Sequence, residues 1–200
     1  MRINRNRSTM PTFLKEGDQI EIVAPSKFIN QSNIQKAIKL IQSHGFNIKI
    51  NPNLFNKKNN FSGTIEERTK SVQLAFDDCK TKAIFFARGG YGAIQILDYI
   101  NFKIFSNNPK WLVGFSDLTI ILIHIYMQHK IKSIHGPMPF NFNRTDKESL
   151  ERLFKLIKGE VINLKLKHHK LNKTGIAQGV LIGGNLSIIC SLIGSKSFKE

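Results

Sequence analysis

A serine that could act as a nucleophile lies between two apolar segments, the first predicted to be a strand and the second a helix. Residues 114–117 have the sequence G-F-S-D, and the helix is predicted from about Leu118 to His129. A glycine-x-serine turn at such a junction exposes the serine oxygen, and the helix N-terminus favours negative charge that develops there during acyl transfer. The full nucleophile-elbow signature is absent, because Leu118 replaces its last glycine. Ser116 or Asp117 could instead only cap the helix, so the turn by itself leaves both interpretations open.

Two further motifs follow predicted strands. The apolar run 83–87 leads into Arg88-Gly89-Gly90-Tyr91-Gly92, and the short strand 131–134 leads into His135 and the sequence H-G-P-M. The glycine turn matches neither a dinucleotide fingerprint nor a P-loop. Because ligands bind beyond the carboxyl ends of parallel strands, we expect these motifs to share one cleft with Ser116. The predicted cleft-lining residues are Arg88, Gly89, Tyr91 and His135.

The remaining histidines and the cysteines offer no second site. No H-x-x-x-H pattern and no Cys/His set is present, so neither a metal nor a cofactor is expected. His168 and His169 lie in a lysine-rich run that we expect to be solvated. Cys79 and Cys190 are predicted to be reduced and to serve in packing.

The elements that position these motifs alternate between strand and helix. Strands are predicted at 19–24, 46–50, 83–87, 111–115 and 131–134, and helices at about 33–44, 64–78, 93–100, 118–129 and from the capping box Thr145–Glu148 to Gly159. This repetition predicts an α/β fold with a parallel sheet and helices on both faces, of the flavodoxin-like or glutamine-amidotransferase-like type.

Four regions are expected along the chain. They are a disordered basic arm at 1–13, an α/β nucleophile domain at 14–160, a linker strand within 161–175, and the beginning of a second domain at 176–200. The last region is predicted to contain one strand, the turn 183–185 and one helix. A strand and a helix cannot bury a core of their own, so we expect this second domain to be truncated.

The charge allows two explanations. Thirty Lys and Arg against 14 Asp and Glu give a net charge of +16, which is compatible with a nucleic-acid binder. The lysines form no single stripe, however, and the abundant Lys, Asn, Ile and Phe can all be encoded by AT-rich codons, so we favour compositional drift. No apolar run is long enough to span a membrane, and the basic N-terminus leads into no apolar segment, so a cytoplasmic protein is expected.

The motifs together resemble the LD-carboxypeptidase family of serine peptidases. The similarity extends from about Leu14 to Gly194 and follows the family order. Its segments are G-D-Q-I-E-I-V-A-P-S at 17–26, F-S-G-T-I-E-E-R at 61–68, A-R-G-G-Y-G at 87–92, G-F-S-D at 114–117, H-G-P-M at 135–138 and G-G-N-L-S at 183–187.

The resemblance implies a function and a division of roles. It assigns Ser116 as the nucleophile and the backbone N–H groups of Asp117 and Gly90 as the oxyanion hole. The Glu and His of the family's triad belong to the second domain beyond residue 185, and no residue here, Glu200 included, is assigned to them. The implied activity is release of D-alanine from murein tetrapeptides, with a murein peptide as the partner and impaired turnover in this chain.

Several alternatives stay open at this point. The same family includes microcin C-type immunity peptidases, which act on an aminoacyl-nucleotide conjugate. The apparent loss of the second domain would also suit a non-catalytic remnant or binding module, and an exposed apolar surface at 176–193 could support a homodimer.

Overall fold

One parallel sheet forms the centre of the molecule. The computed structural model describes residues 8–164 and 167–198. The strands of the sheet are β1 (Gln19–Val23), β2 (Asn47–Ile50), β3 (Thr81–Phe86), β4 (Trp111–Gly114) and β5 (Ile134–His135), in the order β2-β1-β3-β4-β5. All neighbouring pairs are parallel. This is the flavodoxin-like strand order, and it confirms the predicted fold class.

Seven helices are found in the described part of the chain. They are α1 (Gln31–Ser43), α2 (Ile65–Asp77), α3 (Ala93–Leu97), α4 (Lys103–Asn107), α5 (Thr119–His129), α6 (Lys147–Lys158) and α7 (Leu186–Leu192). The short 3₁₀ segments Ser116–Leu118, Pro139–Arg144 and Lys196–Phe198 complete the set. Of these elements, α4 and the 3₁₀ segments at 139–144 and 196–198 were not predicted.

The sheet has a separate apolar core on each face. In β3, Ala83 and Phe85 pack on the side of α1 and α6, while Ile84 and Phe86 pack on the side of α2 to α5. All four side chains are fully buried. A strand buried on both faces shows a continuous apolar run, and the two cores confirm the prediction of helices on both sides of the sheet.

Helix starts were predicted with mixed success. The capping box of α2 is present, because the Thr64 hydroxyl accepts from the Glu67 N–H and the Glu67 carboxylate accepts from the Thr64 N–H. The box predicted at Thr145 is wrong. Asp146 caps α6 instead by accepting from the Ser149 N–H, while the Thr145 hydroxyl donates to a backbone carbonyl.

Part of the predicted disordered arm is attached to the domain. Residues 1–7 lie outside the described residues. Thr9 accepts from the Lys132 N–H and donates to the Lys130 carbonyl, and the Phe13 ring stacks on Trp111 with centroids 5.9 Å apart. Ile131 forms an isolated bridge to Thr9, and the predicted strand 131–134 is reduced to β5 at Ile134–His135.

The C-terminal segment packs on α5. Among the described residues of the predicted linker and second domain, no strand is found, and residues 165–166 lie outside the description. Asn185 caps α7 with its side chain and donates its own N–H to the Thr119 hydroxyl. Leu192 is buried in the core beneath α5. In the described residues, no helix has both the length and the apolar character needed to cross a membrane.

Candidate active site

Ser116 lies in a strained turn where β4 passes into α5. It is the first residue of the 3₁₀ turn 116–118, and its side chain is partly exposed. Its φ of 60° is left-handed, a conformation that costs a non-glycine residue on the order of 1 kcal/mol and is concentrated at functional sites. The strand-to-helix position predicted for this serine is therefore observed, and the backbone has the sharp turn that a nucleophile elbow requires.

The glycine turn after β3 lies directly against this serine. A Cβ atom added to Gly89 would stand 3.3 Å from the Phe115 carbonyl oxygen and 3.4 Å from the Ser116 Cβ. Gly90 has a φ of 119°, which side-chain-bearing residues rarely adopt. Since β3 and β4 are paired neighbours, the structure brings these two predicted motifs together.

Arg88 and Tyr91 have other contacts. The Arg88 guanidinium donates to the Phe28 carbonyl and lies 4.4 Å from the centre of the Phe140 ring. Tyr91 is 53% exposed and its ring is tilted against Phe61. Arg88 thus joins the loops that follow β1 and β5, and the cleft-lining role of both side chains stays a prediction.

The side chain of Asp117 holds the turn in place. Its buried carboxylate accepts a 2.6 Å hydrogen bond from the Ser26 hydroxyl and a 2.9 Å bond from the Ala93 N–H. Ala93 begins α3, so the Asp117 side chain accepts from the first turn of α3. It does not cap the helix that follows it, which is what the capping interpretation required. One carboxylate therefore connects the ends of β1, β3 and β4.

Arg68 is a second buried side chain that links the loops around the serine turn. The sequence identified it only as the last residue of the motif at 61–68. It is 1% exposed and donates to the carbonyls of Pro25 and Gly92 and to the Gln95 side chain. Burial lowers the pKa of Arg68, and the negative charge of Asp117 opposes that shift. A buried guanidinium bound to loop carbonyls fixes the backbone of the glycine turn relative to β1.

His135 lies on the opposite side of Ser116 from the glycine turn. β5 pairs with β4 through Gly114 and His135, and the His135 ring meets the Phe115 ring edge-on at 6.2 Å. Loss of water around the ring lowers the pKa of His135, which favours the neutral imidazole at neutral pH. Phe115 and His135 line a cavity of about 340 Å³ together with Gly136, Pro137, Asn141, Arg144 and Thr145.

Three of the other histidines are engaged elsewhere. His44 stacks on Phe154, His129 bonds to the Ser106 hydroxyl, and His124 bonds to the Ser197 hydroxyl. The part of the chain that the structure describes contains no cluster of three or more His, Cys, Asp or Glu side chains able to hold a metal. His135, by contrast, pairs with Gly114 at the edge of the sheet where the Ser116 turn begins.

With the fold and this serine turn in place, comparison with known proteins assigns the chain to a family. Residues 20–136 match the LD-carboxypeptidase N-terminal domain, and the chain belongs to that family. The family predicted from the motifs is therefore confirmed.

Individual relatives agree with this assignment. A putative carboxypeptidase of Synechocystis sp. is 30% identical over 189 residues, which cover 93% of this chain and 61% of that protein. The murein tetrapeptide carboxypeptidase of Pseudomonas aeruginosa is 27% identical over 188 residues and 88% of this chain, and again 61% of that protein is covered. The chain thus spans about three fifths of the length of these curated relatives.

A solved structure supports the fold. The crystal structure of an MccF-like protein from Bacillus anthracis superimposes with a TM-score of 0.71 at 26% identity, covering 75% of this chain and 47% of that one.

Proposed function

We propose that this chain supplies the nucleophile and part of the substrate cleft of a serine LD-carboxypeptidase, which cleaves an L-to-D peptide bond of murein tetrapeptides and releases D-alanine. The observation that carries the proposal is the left-handed Ser116 turn in a chain of the LD-carboxypeptidase family. The choice of a murein peptide is supported by the relative from Pseudomonas aeruginosa.

The turn has the nucleophile and two candidate oxyanion donors for the first chemical step, but that step also needs a base to take the proton of the Ser116 hydroxyl. The Ser116 oxygen would attack the scissile carbonyl, and the negative charge would then form on the carbonyl oxygen. The N–H groups of Gly90 and Asp117 would stabilise that oxyanion, and neither is among the loop backbone donors found in the described residues. One such donor is commonly worth a factor of about 10²–10³ in turnover.

A base for Ser116 is absent from the described residues. Its hydroxyl forms no hydrogen bond with any side chain of residues 8–164 or 167–198, and residues 186–198 contain neither Glu nor His. A serine hydroxyl is a poor nucleophile without a neighbouring base, and loss of the base in a serine protease of another fold cost about a millionfold in turnover. We therefore expect the part of the chain that the structure describes to bind substrate but to hydrolyse it very slowly.

The test combines binding, turnover and chemical rescue. The 200-residue polypeptide is mixed with murein tetrapeptide, peptide binding is followed through the NMR signals of Ser116 and His135, and released D-alanine is measured. We expect binding with D-alanine release near the uncatalysed rate. Added imidazole, as an external base, should raise release in the wild-type chain and leave the Ser116→Ala variant unchanged.

Two results would contradict the proposal. If the tetrapeptide does not bind, a murein peptide is not the substrate of this site. Fast release without imidazole that disappears in Ser116→Ala would confirm the nucleophile but show that a base within the chain, with His135 the first candidate, activates it.

A second candidate substrate is the aminoacyl-nucleotide conjugate that the resemblance to microcin C-type immunity peptidases implies, and the similarity to an MccF-like protein is compatible with it. Both substrates would use the same serine. Competition between the tetrapeptide and an aminoacyl-nucleotide conjugate for the wild-type chain separates them, because the preferred substrate should displace the other.

A further inference from the structure

The cavity lined by Phe115, the residue before Ser116, has one fixed positive charge in its lining and no negative one. Its volume is about 340 Å³, which is within the range of small-ligand sites. Its lining includes Arg144 but neither Asp nor Glu. Because burial lowers the pKa of His135, the guanidinium of Arg144 is the charge that dominates this cavity at neutral pH.

Arg144 has no partner in the described parts of the chain. No side chain or carbonyl of residues 8–164 or 167–198 forms an ion pair or a hydrogen bond with it. The two acidic residues that follow it in sequence are already engaged, since Asp146 caps α6 through the Ser149 N–H and Glu148 pairs with Arg152. The guanidinium is thus available for a ligand.

The backbone that carries Arg144 is ordered by local hydrogen bonds. The Asn141 N–H donates 2.7 Å to the Met138 carbonyl, and the Thr145 hydroxyl donates 3.0 Å to the Asn141 carbonyl. Both bonds lie within or at the end of the 3₁₀ segment 139–144. The side chain therefore starts from a defined position at the cavity rim and not from a long loop.

We infer that this cavity holds the C-terminal carboxylate of the substrate and that Arg144 is the residue that binds it. This inference rests on the proposed function. A carboxypeptidase must recognise a free carboxylate one residue beyond the scissile bond, and a planar guanidinium can bind a carboxylate through two parallel hydrogen bonds. The glycine turn occupies the β3 side of Ser116, so the leaving D-amino acid would lie on the β5 side, between Phe115 and Arg144.

The experiment compares a peptide acid with its amide. N-acetyl-L-lysyl-D-alanine and its C-terminal amide are titrated separately into the 200-residue chain, and dissociation constants are taken from NMR shifts. The acid should bind about tenfold more tightly than the amide, and added salt should reduce the difference. Arg144→Gln should remove the preference, and Arg144→Lys should keep part of it.

A matched substitution controls for loss of charge. Lys147 is exposed in the first turn of α6 and does not line the cavity, so Lys147→Gln should retain the full preference for the acid. Equal affinities of acid and amide for the wild-type chain, or a preference that survives Arg144→Gln, would overturn the role of Arg144 and leave the proposed function standing. Failure of both peptides to bind would contradict the proposed function and the inference together.

Discussion

Two regions that contact α5 differ in how much of them is buried: the serine turn that precedes the helix, and the C-terminal segment 175–193. At the start of α5, the buried Asp117 carboxylate binds Ser26 and Ala93, and the Ser116 turn is surrounded by neighbouring loops. In the segment 175–193 the apolar residues are largely open to solvent, and Ile176 and Leu181 are fully exposed. The geometry of the serine turn is thus held by buried hydrogen bonds, whereas residues 175–187 are exposed and bury little apolar surface against the fold.

Removing the Asp117 carboxylate should have the largest effect. Asp117→Ala leaves two buried donors without an acceptor and the buried Arg68 without its nearest compensating charge, so we expect a loss of about 3 kcal/mol in the free energy of unfolding. Urea denaturation measures this loss. Asp98→Ala removes an exposed carboxylate at the end of α3 and serves as the control. A similar small loss in both variants would mean that the serine turn is not held by Asp117.

Within the C-terminal segment, Leu192 should be the exception. It is 3% exposed beneath α5, whereas its neighbour Ile193 is 66% exposed. Leu192→Ala should lower the free energy of unfolding by about 2 kcal/mol, and Ile193→Ala by less than about 0.5 kcal/mol. Equal effects of the two substitutions on urea denaturation would show that α7 does not dock as described.

Acid should loosen the C-terminal segment by a smaller amount. His124 bonds to the Ser197 hydroxyl, and burial lowers the pKa of His124, with His129 lowering it further and Asp98 opposing. Because the folded state binds the proton less readily than the unfolded state, this stability is present above the ordinary histidine pKa of about 6.5 and is lost as the pH falls through the lowered value.

The measurement is urea denaturation at about pH 7.5 and about pH 5.5. The wild-type chain should lose stability between the two, and His124→Gln should lose less. A drop of the same size in both chains would assign the acid sensitivity to other groups.

Substitutions at the exposed apolar residues should leave stability almost unchanged. We expect the pair Ile176→Ser and Leu181→Ser to alter the free energy of unfolding by less than about 0.5 kcal/mol while reducing self-association, because exposed apolar surface favours contact with other chains. Sedimentation at several protein concentrations tests this, with Asn172→Ser as a polar control in the same segment. If the double variant self-associates as strongly as the wild-type chain, this surface is not the basis of a homodimer.

The sequence predicted the strands and helices best where the apolar pattern is long and clear. Examples are the continuous buried run of β3 and the apolar stripe of α1, which repeats with the helical period. It failed at the ends of elements. The strand predicted at 131–134 is found only at Ile134–His135, with Ile131 in an isolated bridge to Thr9, and the cap of α6 is one residue later than predicted, at Asp146.

For the site, residue types and motif order were sufficient to identify Ser116 and the family, because a turn between strand and helix is a local feature. The links that hold the turn were not visible, because Asp117 and Ser26 are 91 positions apart and Arg68 reaches loops on two other strands. In the same way, the charge of Arg144 is available only because the nearby carboxylates of Asp146 and Glu148 bind Ser149 and Arg152. Local backbone preference is encoded in the sequence, whereas the pairing of buried and cavity-facing groups is decided only when parallel strands bring their loops to one edge of the sheet.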